Sequence, residues 1–115
     1  MPDCIFCQVA SGQVPVTLVR ESDAFVAFHD LGPQAPVHVL VIPRVHHAAV
    51  RDVKGAPGEA MLGGLLAFAA QVATDLGLDR GGYRLVANTG ADGGQSVFHL
   101  HLHLLGGRKM TWPPG

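Results

Sequence analysis

The sequence predicts an α+β fold built on an antiparallel sheet, and three observations carry that prediction. Short β-prone segments lie on both sides of a single long helical stretch. The connections between neighbouring strand segments are mostly of hairpin length and rich in Gly, Pro, Asn and Asp. Finally, His99-Leu100-His101-Leu102-His103 alternates imidazole and leucine. Period two is the strand repeat, so the three rings are expected on one face of a single strand.

The elements follow in order. Ile5 to Ala10 reads as a short N-terminal helical turn, ended by Ser11-Gly12. Val16–Arg20 is a short strand candidate and Ala24–His29 a stronger one, with Phe25 and Ala27 on one face and Val26 and Phe28 on the other. Asp30 to Pro36 is a turn-rich loop, in which two prolines and a glycine break any helix. Val37–Ile42 is a β-branched run closed by Pro43. Gly55-Ala56-Pro57-Gly58 precedes the long helix, where Leu62, Leu65, Leu66, Ala69, Val72, Ala73 and Leu76 keep the 3.6 period and Gly77 supplies a stop. Gly63 and Gly64 weaken that helix by about 1 kcal/mol each, which close packing on the sheet or a partner would explain. Tyr83–Ala87 is a strand, residues 88–96 form a loop free to adopt positive φ, and Val97–Leu105 is the histidine strand, central because both faces carry large residues. The tail holds the only tryptophan, Trp112, then Pro113-Pro114-Gly115.

Composition narrows the function. At 115 residues and 48% hydrophobic, the chain is expected to form one domain over residues 1–115, with a tail over 106–115. Eight Lys plus Arg stand against nine Asp plus Glu, so there is no basic stripe for a nucleic acid. The greasiest stretch, Met61 to Val72, is too short and too polar for a bilayer. No basic-then-apolar leader is evident, and a lone C-x-x-C is not a disulfide framework. The expectation is a cytoplasmic protein with reduced thiols.

Several side-chain groups suggest chemistry. Same-face strand residues sit about 7 Å apart, so one metal cannot readily take all three triad histidines. They suit a site the size of a phosphate ester, against the alternatives of a solvated strand face or a metal-only site. The loop from Gly90 to Ser96 could offer successive N–H groups to an anion, with the Ser96 hydroxyl added. Such turns are usually only turns, but this one ends just before His99. His38 shares a face with Leu40 and Ile42, where a packed structural histidine is the alternative to a catalytic one. Cys4, Cys7, His46 and His99 make a plausible tetrahedral zinc set, against two ordinary thiols near a terminus.

With its H-x-H-x-H run set among apolar residues, the chain resembles the histidine triad (HIT) family, in its Hint branch of histidine triad nucleotide-binding proteins. The resemblance runs from about Cys4 to Gly115. It includes Ala27-Phe28-His29-Asp30, Pro33-Gln34-Ala35-Pro36-Val37-His38, Gly93-Gly94-Gln95-Ser96, Leu105-Gly106-Gly107-Arg108 and Trp112-Pro113-Pro114-Gly115. The tail in particular resembles the Hint branch more than the diadenosine-polyphosphate hydrolases.

The resemblance implies a HIT-like fold: a five-stranded antiparallel sheet with one long helix and a short N-terminal helix. It also implies a homodimer whose two sheets join into a ten-stranded one. The implied activity is hydrolysis of purine nucleoside phosphoramidates, such as adenosine 5′-phosphoramidate, through a nucleotidyl-histidine. Dinucleoside polyphosphate hydrolysis and a non-catalytic nucleotide-binding scaffold are the alternatives. Carried over by position, His101 is the nucleophile, His103 and His38 belong to the polar set around it, and His99 orients the neighbourhood. Asn88, Gly94, Gln95, Ser96 and Val97 fall on the phosphate side, Asp30 on the ribose, and His29 in the same nucleotide-binding set. Ile5, Phe6, Val9, Phe28 and Leu31 form the base slot. Where C-x-x-C is present, the resemblance implies structural zinc on Cys4, Cys7, His46 and His99, with His99 binding through one nitrogen while its backbone orients the strand. No organic cofactor is implied. Trp112 is expected to be buried near the partner's active-site mouth.

The chemistry is consistent with that reading. Neutral imidazole attacks phosphorus well and leaves well when charged, which splits hydrolysis into two displacements. A neighbour that becomes imidazolium could steady the phosphoryl oxygens and supply a proton to the departing nitrogen.

Overall fold

The computed structural model describes residues 3–115. The helix α1 (Ile5–Ala10) is followed by β1 (Leu18–Glu21), β2 (Phe25–His29), β3 (Val37–Pro43), a 3₁₀ turn (Val50–Asp52), α2 (Gly55–Asp75), β4 (Tyr83–Val86) and β5 (Leu102–Gly106). The five strands form one sheet in the order β1-β2-β3-β5-β4, and every neighbouring pair is antiparallel.

Alternation along β3 divides the molecule into two layers. Val39 and Val41 face α2 and join Ala27, Leu65, Ala69, Val72, Leu100, Leu102 and Leu104 in the larger core. Leu40 and Ile42 face the other way and pack with Phe6, Val9, Val26 and Phe28 beneath α1. The leucines between the triad histidines thus anchor the α2 side, which turns the imidazoles toward α1.

Three boundaries differ from the sequence-based expectation by two residues or more, each for a physical reason. The regular strand β5 begins at Leu102, not Val97, so of the triad only His103 lies within it. The ladder with β3 stops at Val41–Leu102. Pro43 has no N–H to continue it, and the Leu100 N–H donates instead to the His47 carbonyl at 2.6 Å. Strand β1 starts at Leu18, with a register irregularity between Leu18 and Arg20, which frees Val16 for the packing beneath α1. The long helix starts at Gly55, earlier than expected. Pro57 falls in its first turn, where a missing N–H costs nothing. A Cβ at Gly58 would come within 2.7 Å of Val53.

Two glycines have clear roles. The ring of Phe25 lies 3.2 Å from where a Gly64 Cβ would stand, so this residue allows α2 to sit close on β2. Gly77, at φ +74, closes α2, and the following Leu78 N–H returns to the Ala73 carbonyl. Among the described residues, no helix is long and apolar enough to cross a membrane.

Candidate active site and metal centre

The imidazoles form a row across the α1 face of the sheet. Ring centroids are 4.9 Å apart for His46–His99, 4.9 Å for His101–His103 and 5.1 Å for His103–His38. His103 and His38 meet because Leu40 pairs with His103 across the ladder, which makes His38 its diagonal neighbour on that face. Phe6 of α1 packs edge-on against His99, His101 and Phe28, with centroids 5.9, 5.1 and 5.7 Å away. One short helix therefore holds the middle of the row. The end of that helix is itself tied down by Arg44, whose Nη1 donates to the Ala10 carbonyl at 2.6 Å.

Hydrogen bonds assign the protons of two rings. His99 Nε2 lies 2.8 Å from the Pro43 carbonyl, which only accepts, so Nε2 carries the proton and Nδ1 of the neutral ring has a lone pair. His101 Nδ1 lies 2.7 Å from the His99 carbonyl, so here Nδ1 carries the proton and Nε2 is the free base. Burial is the main influence lowering the pKa of His101; the bond to the His99 carbonyl and the charge of Asp30 oppose it. Burial likewise lowers His99, helped by His46 and opposed by the Pro43 bond. His103 is pushed down to about 4, by burial first and then by His101 and His38. The downward shifts all favour the neutral form of these rings.

Beyond the triad, His38 receives the Gln34 N–H at Nδ1 (3.0 Å), while its Nε2 lies 2.9 Å from His103 Nδ1 and 3.5 Å from Asp30 Oδ2. Asp30 also accepts the Gly32 N–H at 2.7 Å, which shapes the loop after β2.

At the other end of the row the four predicted metal ligands converge. Cys4 Sγ and Cys7 Sγ lie 3.3 and 3.6 Å from His99 Nδ1, Cys7 Sγ lies 3.5 Å from His46 Nδ1, and the two Nδ1 atoms are 3.2 Å apart. Bond lengths of ~2.3 Å to sulfur and ~2.0 Å to nitrogen give a tetrahedral zinc site edges of about 3.3–3.8 Å. The four distances lie close to those edges, all four atoms are within 4.8 Å of one another, and the lone pair of His99 Nδ1 faces the sulfurs, so these residues fit a metal ion. Burial, then Cys4, raises the Cys7 pKa; a bound cation would reverse that and favour the thiolate.

An apolar cavity of about 300 Å³ is bounded by Ile5, Phe6, Val9, Phe28, Leu31 and Val97, with His29 and Asp30 at its polar edge; Phe6 links it to the row, whose imidazoles do not themselves line it. Val14, Pro15, Val16 and Leu40 also line it. Sequence reading missed these four; the apolar segment Val14-Pro15-Val16 directly after α1 was the available signal. Ser96 opens on a neighbouring cavity of about 520 Å³, together with Cys4, His46 and Phe98, and the two cavities share Ile5 and Val97. Asn88 and Gly94 line neither of them. Gln95 is buried and committed to the backbone: its Oε1 accepts the Gly90 N–H, and its Nε2 donates to the Ala48 and Val97 carbonyls. Its side chain therefore shapes the loop. Trp112 is 82% exposed in the single chain, so it does not cap its own sheet.

The HIT domain family model matches residues 11–110. An uncharacterized HIT-like protein of Synechococcus elongatus is 48% identical over 113 residues, covering 98% of this chain and 97% of the relative. A 14 kDa zinc-binding protein of Brassica juncea is 46% identical over 114 residues, covering 98% of this chain and all of the relative (100%). The crystal structure of a HIT family hydrolase from Legionella pneumophila superposes with a TM-score of 0.94 at 48% identity, covering 98% of this chain and 100% of that one. A row of histidines aimed at one face, on a sheet shared with such relatives, has one reading: the chain belongs to the HIT family.

Proposed function

We propose that the chain is a purine nucleoside phosphoramidase of the Hint branch, cleaving the P–N bond of AMP-amine substrates through a nucleotidyl group on His101. The observation that carries this is the state of His101. Its Nδ1–H is held by the His99 carbonyl at 2.7 Å, leaving a neutral Nε2 lone pair on a ring that packs against Phe6, a residue of the apolar cavity wall. In the first displacement His101 Nε2 bonds to phosphorus and the P–N bond breaks. The electron pair leaves on the amine nitrogen, which takes up a proton. Water then cleaves the N–P bond to His101, releasing the nucleotide and restoring the ring. The flat apolar slot between Phe6, Val9 and Phe28 suits a purine, and the Asp30 carboxylate at its rim suits ribose hydroxyls. Asn88, Gly94, Ser96 and the Val97 backbone are assigned to the phosphate side.

Zinc on Cys4, Cys7, His46 and His99 belongs to the same proposal, supported by the donor geometry and by a relative named for binding zinc. A closed four-ligand ion would supply no catalytic chemistry; it would fasten α1, and with it the base slot, to the sheet. The proposal includes a homodimer through β4, an edge strand of the sheet. Leu66, half exposed, borders an apolar hollow with Val50, Leu62 and Ala87 at that edge, as a joining surface would.

The test is a side-by-side assay of adenosine 5′-phosphoramidate and a dinucleoside polyphosphate, with intact-mass analysis of quenched turnover. Preferential P–N cleavage with an adenylyl adduct on His101 is the expected result. Preferential polyphosphate cleavage, or nucleotide binding without turnover, would replace this reading by one of its two rivals.

A further inference from the structure

We propose that Gln34 is a positioning residue: its main-chain N–H fixes the tautomers of His38 and His103, so that His103 offers an N–H to the bound phosphoryl group and only His101, of the three, offers a lone pair. The role assigned to that N–H rests on the phosphoramidase reading. The tautomers themselves rest on hydrogen bonds alone.

The argument runs along a chain of donors. A main-chain N–H can only donate, so His38 Nδ1, 3.0 Å from Gln34 N, must hold a lone pair. The proton of neutral His38 is then on Nε2. That nitrogen lies 2.9 Å from His103 Nδ1, which must accept, and this places the His103 proton on Nε2. Among the described residues His103 Nε2 has no protein partner, and no unpartnered side-chain nitrogen or oxygen is sealed from solvent. It therefore opens outward as a donor. His101 has the opposite tautomer, because its Nδ1–H is taken by the His99 carbonyl. Nucleophile and donor thus stand side by side with ring centroids 4.9 Å apart.

The same chain makes His103 a poor acid. A second proton would have to enter at Nδ1, where the His38 Nε2–H already points. The ionisable groups facing His103 are His38 on β3, His101 on its own run and Asp30 after β2, and only Asp30 favours an imidazolium. His103 therefore acts as a neutral hydrogen-bond donor to a phosphoryl oxygen, a fixed dipole where negative charge gathers. The proton taken up by the departing nitrogen comes from water at the mouth of the site. The hydroxide left behind is consumed when the nucleotidyl group is cleaved, so the two steps together consume one water.

The loop is built to hold Gln34 still. Asp30 accepts the Gly32 N–H, the Gln34 side chain donates to the Gly32 carbonyl at 3.0 Å, and Arg108 Nη2 donates to the Gln34 carbonyl at 3.0 Å. The lock has a second consequence. Asp30, His38 and His103 present donor atoms within 4.8 Å of one another, a spacing that would suit a metal ion. Yet His38 Nε2 carries a proton it cannot move to Nδ1 without losing the Gln34 bond, so this cluster refuses the ion that the cysteine site accepts.

The experiment is ¹⁵N-histidine NMR of the full chain at pH 7, with pH–rate profiles for wild type, Gln34→Pro and Gln34→Ala. The proline variant deletes the N–H; the alanine variant keeps it. Protonated Nε2 and bare Nδ1 are expected for His38 and His103, and the reverse for His101. Protonated Nδ1 on His38 or His103 overturns the lock. With adenosine 5′-phosphoramidate, kcat/KM should stay level from neutral pH to about pH 9; a fall with an imidazole pKa overturns the donor role in favour of an acid. Losing one such bond predicts that Gln34→Pro lowers kcat about tenfold, with KM nearly unmoved and mixed His38 tautomers, while Gln34→Ala, which keeps the N–H and loses only the exposed side-chain bond to Gly32, lowers kcat less than about threefold and keeps the wild-type tautomers. A proline variant with unchanged kcat and unchanged His38 signals overturns the proposal. No turnover at all, with the expected tautomers, refutes the phosphoramidase reading and the role of the N–H but leaves the lock standing.

Discussion

Acidification should destabilise the fold through His103, and His103→Asn isolates that effect. Burial, then His101 and His38, hold this ring at about 4 against an ordinary 6.5. Between those values the unfolded chain binds the proton and the folded chain does not. The contribution is therefore fully present above pH 6.5 and is lost as pH falls toward 4. At pH 5 the difference in proton binding amounts to about 2 kcal/mol for this half-buried group. Asparagine cannot titrate, but its side-chain oxygen still accepts the His38 Nε2–H, so the packing is disturbed little. Urea unfolding of both proteins at one protein concentration, at pH 8 and pH 5, gives the double difference. His99 and His101 shift in the same direction but are common to both proteins, as is any metal release. Wild type should lose about 2 kcal/mol more than the variant over this interval. Losses equal to within about 0.5 kcal/mol would refute the assignment, because His103 would then titrate alike in the folded and unfolded chains.

Three further outcomes are expected. His101→Ala should lose at least about a hundredfold in turnover, ~3 kcal/mol of transition-state stabilisation, and should show no covalent adduct by intact mass, while AMP titration still reports binding. Protein purified without added metal should carry about one zinc per chain by elemental analysis, and Cys4→Ser with Cys7→Ser should abolish it; below about 0.2 zinc per chain with freely reactive thiols, the cysteines are not ligands. Removing residues 111–115 should spare AMP affinity but change the ratio of activities toward small and bulky phosphoramidates, because exposed Trp112 and its prolines suit docking near a partner's site. An unchanged ratio with reduced thermal stability would make the tail purely structural.

The sequence made some levels of this structure legible and left others hidden. Alternating β-branched and aromatic residues placed β2 and β3 to within a residue or two, and leucine spacing announced α2. Leu100, Leu102 and Leu104 declared which side of the histidine run was core, so the shared face of the imidazoles was readable before any contact was known. The end of the regular strand at Leu102 was hidden because it depends on Pro43 across the ladder, a partner that period-two reasoning along one strand does not see. Gln95 lies in a phosphate-like loop, but its amide is fully occupied by the Gly90 N–H and the Ala48 and Val97 carbonyls, and the bond to Ala48, 47 residues away, leaves no local signature. The same holds for Gln34. Only its main-chain N–H matters to His38, and residue identity says nothing about where an N–H points.

His99 connects to its surroundings through two chemically different parts, and they can be varied separately. The ring joins the cysteine cluster; the main-chain carbonyl holds the His101 ring. Every amino acid has that carbonyl, so the orientation of His101 does not depend on which side chain occupies position 99. A descendant of this chain could exchange Cys4, Cys7 and the His99 ring for an apolar cluster that fastens α1 by packing alone, and still aim His101 the same way. Anchoring and reactivity meet at one residue without sharing an atom, which leaves a mutational route between metal-bearing and metal-free versions of the same active site.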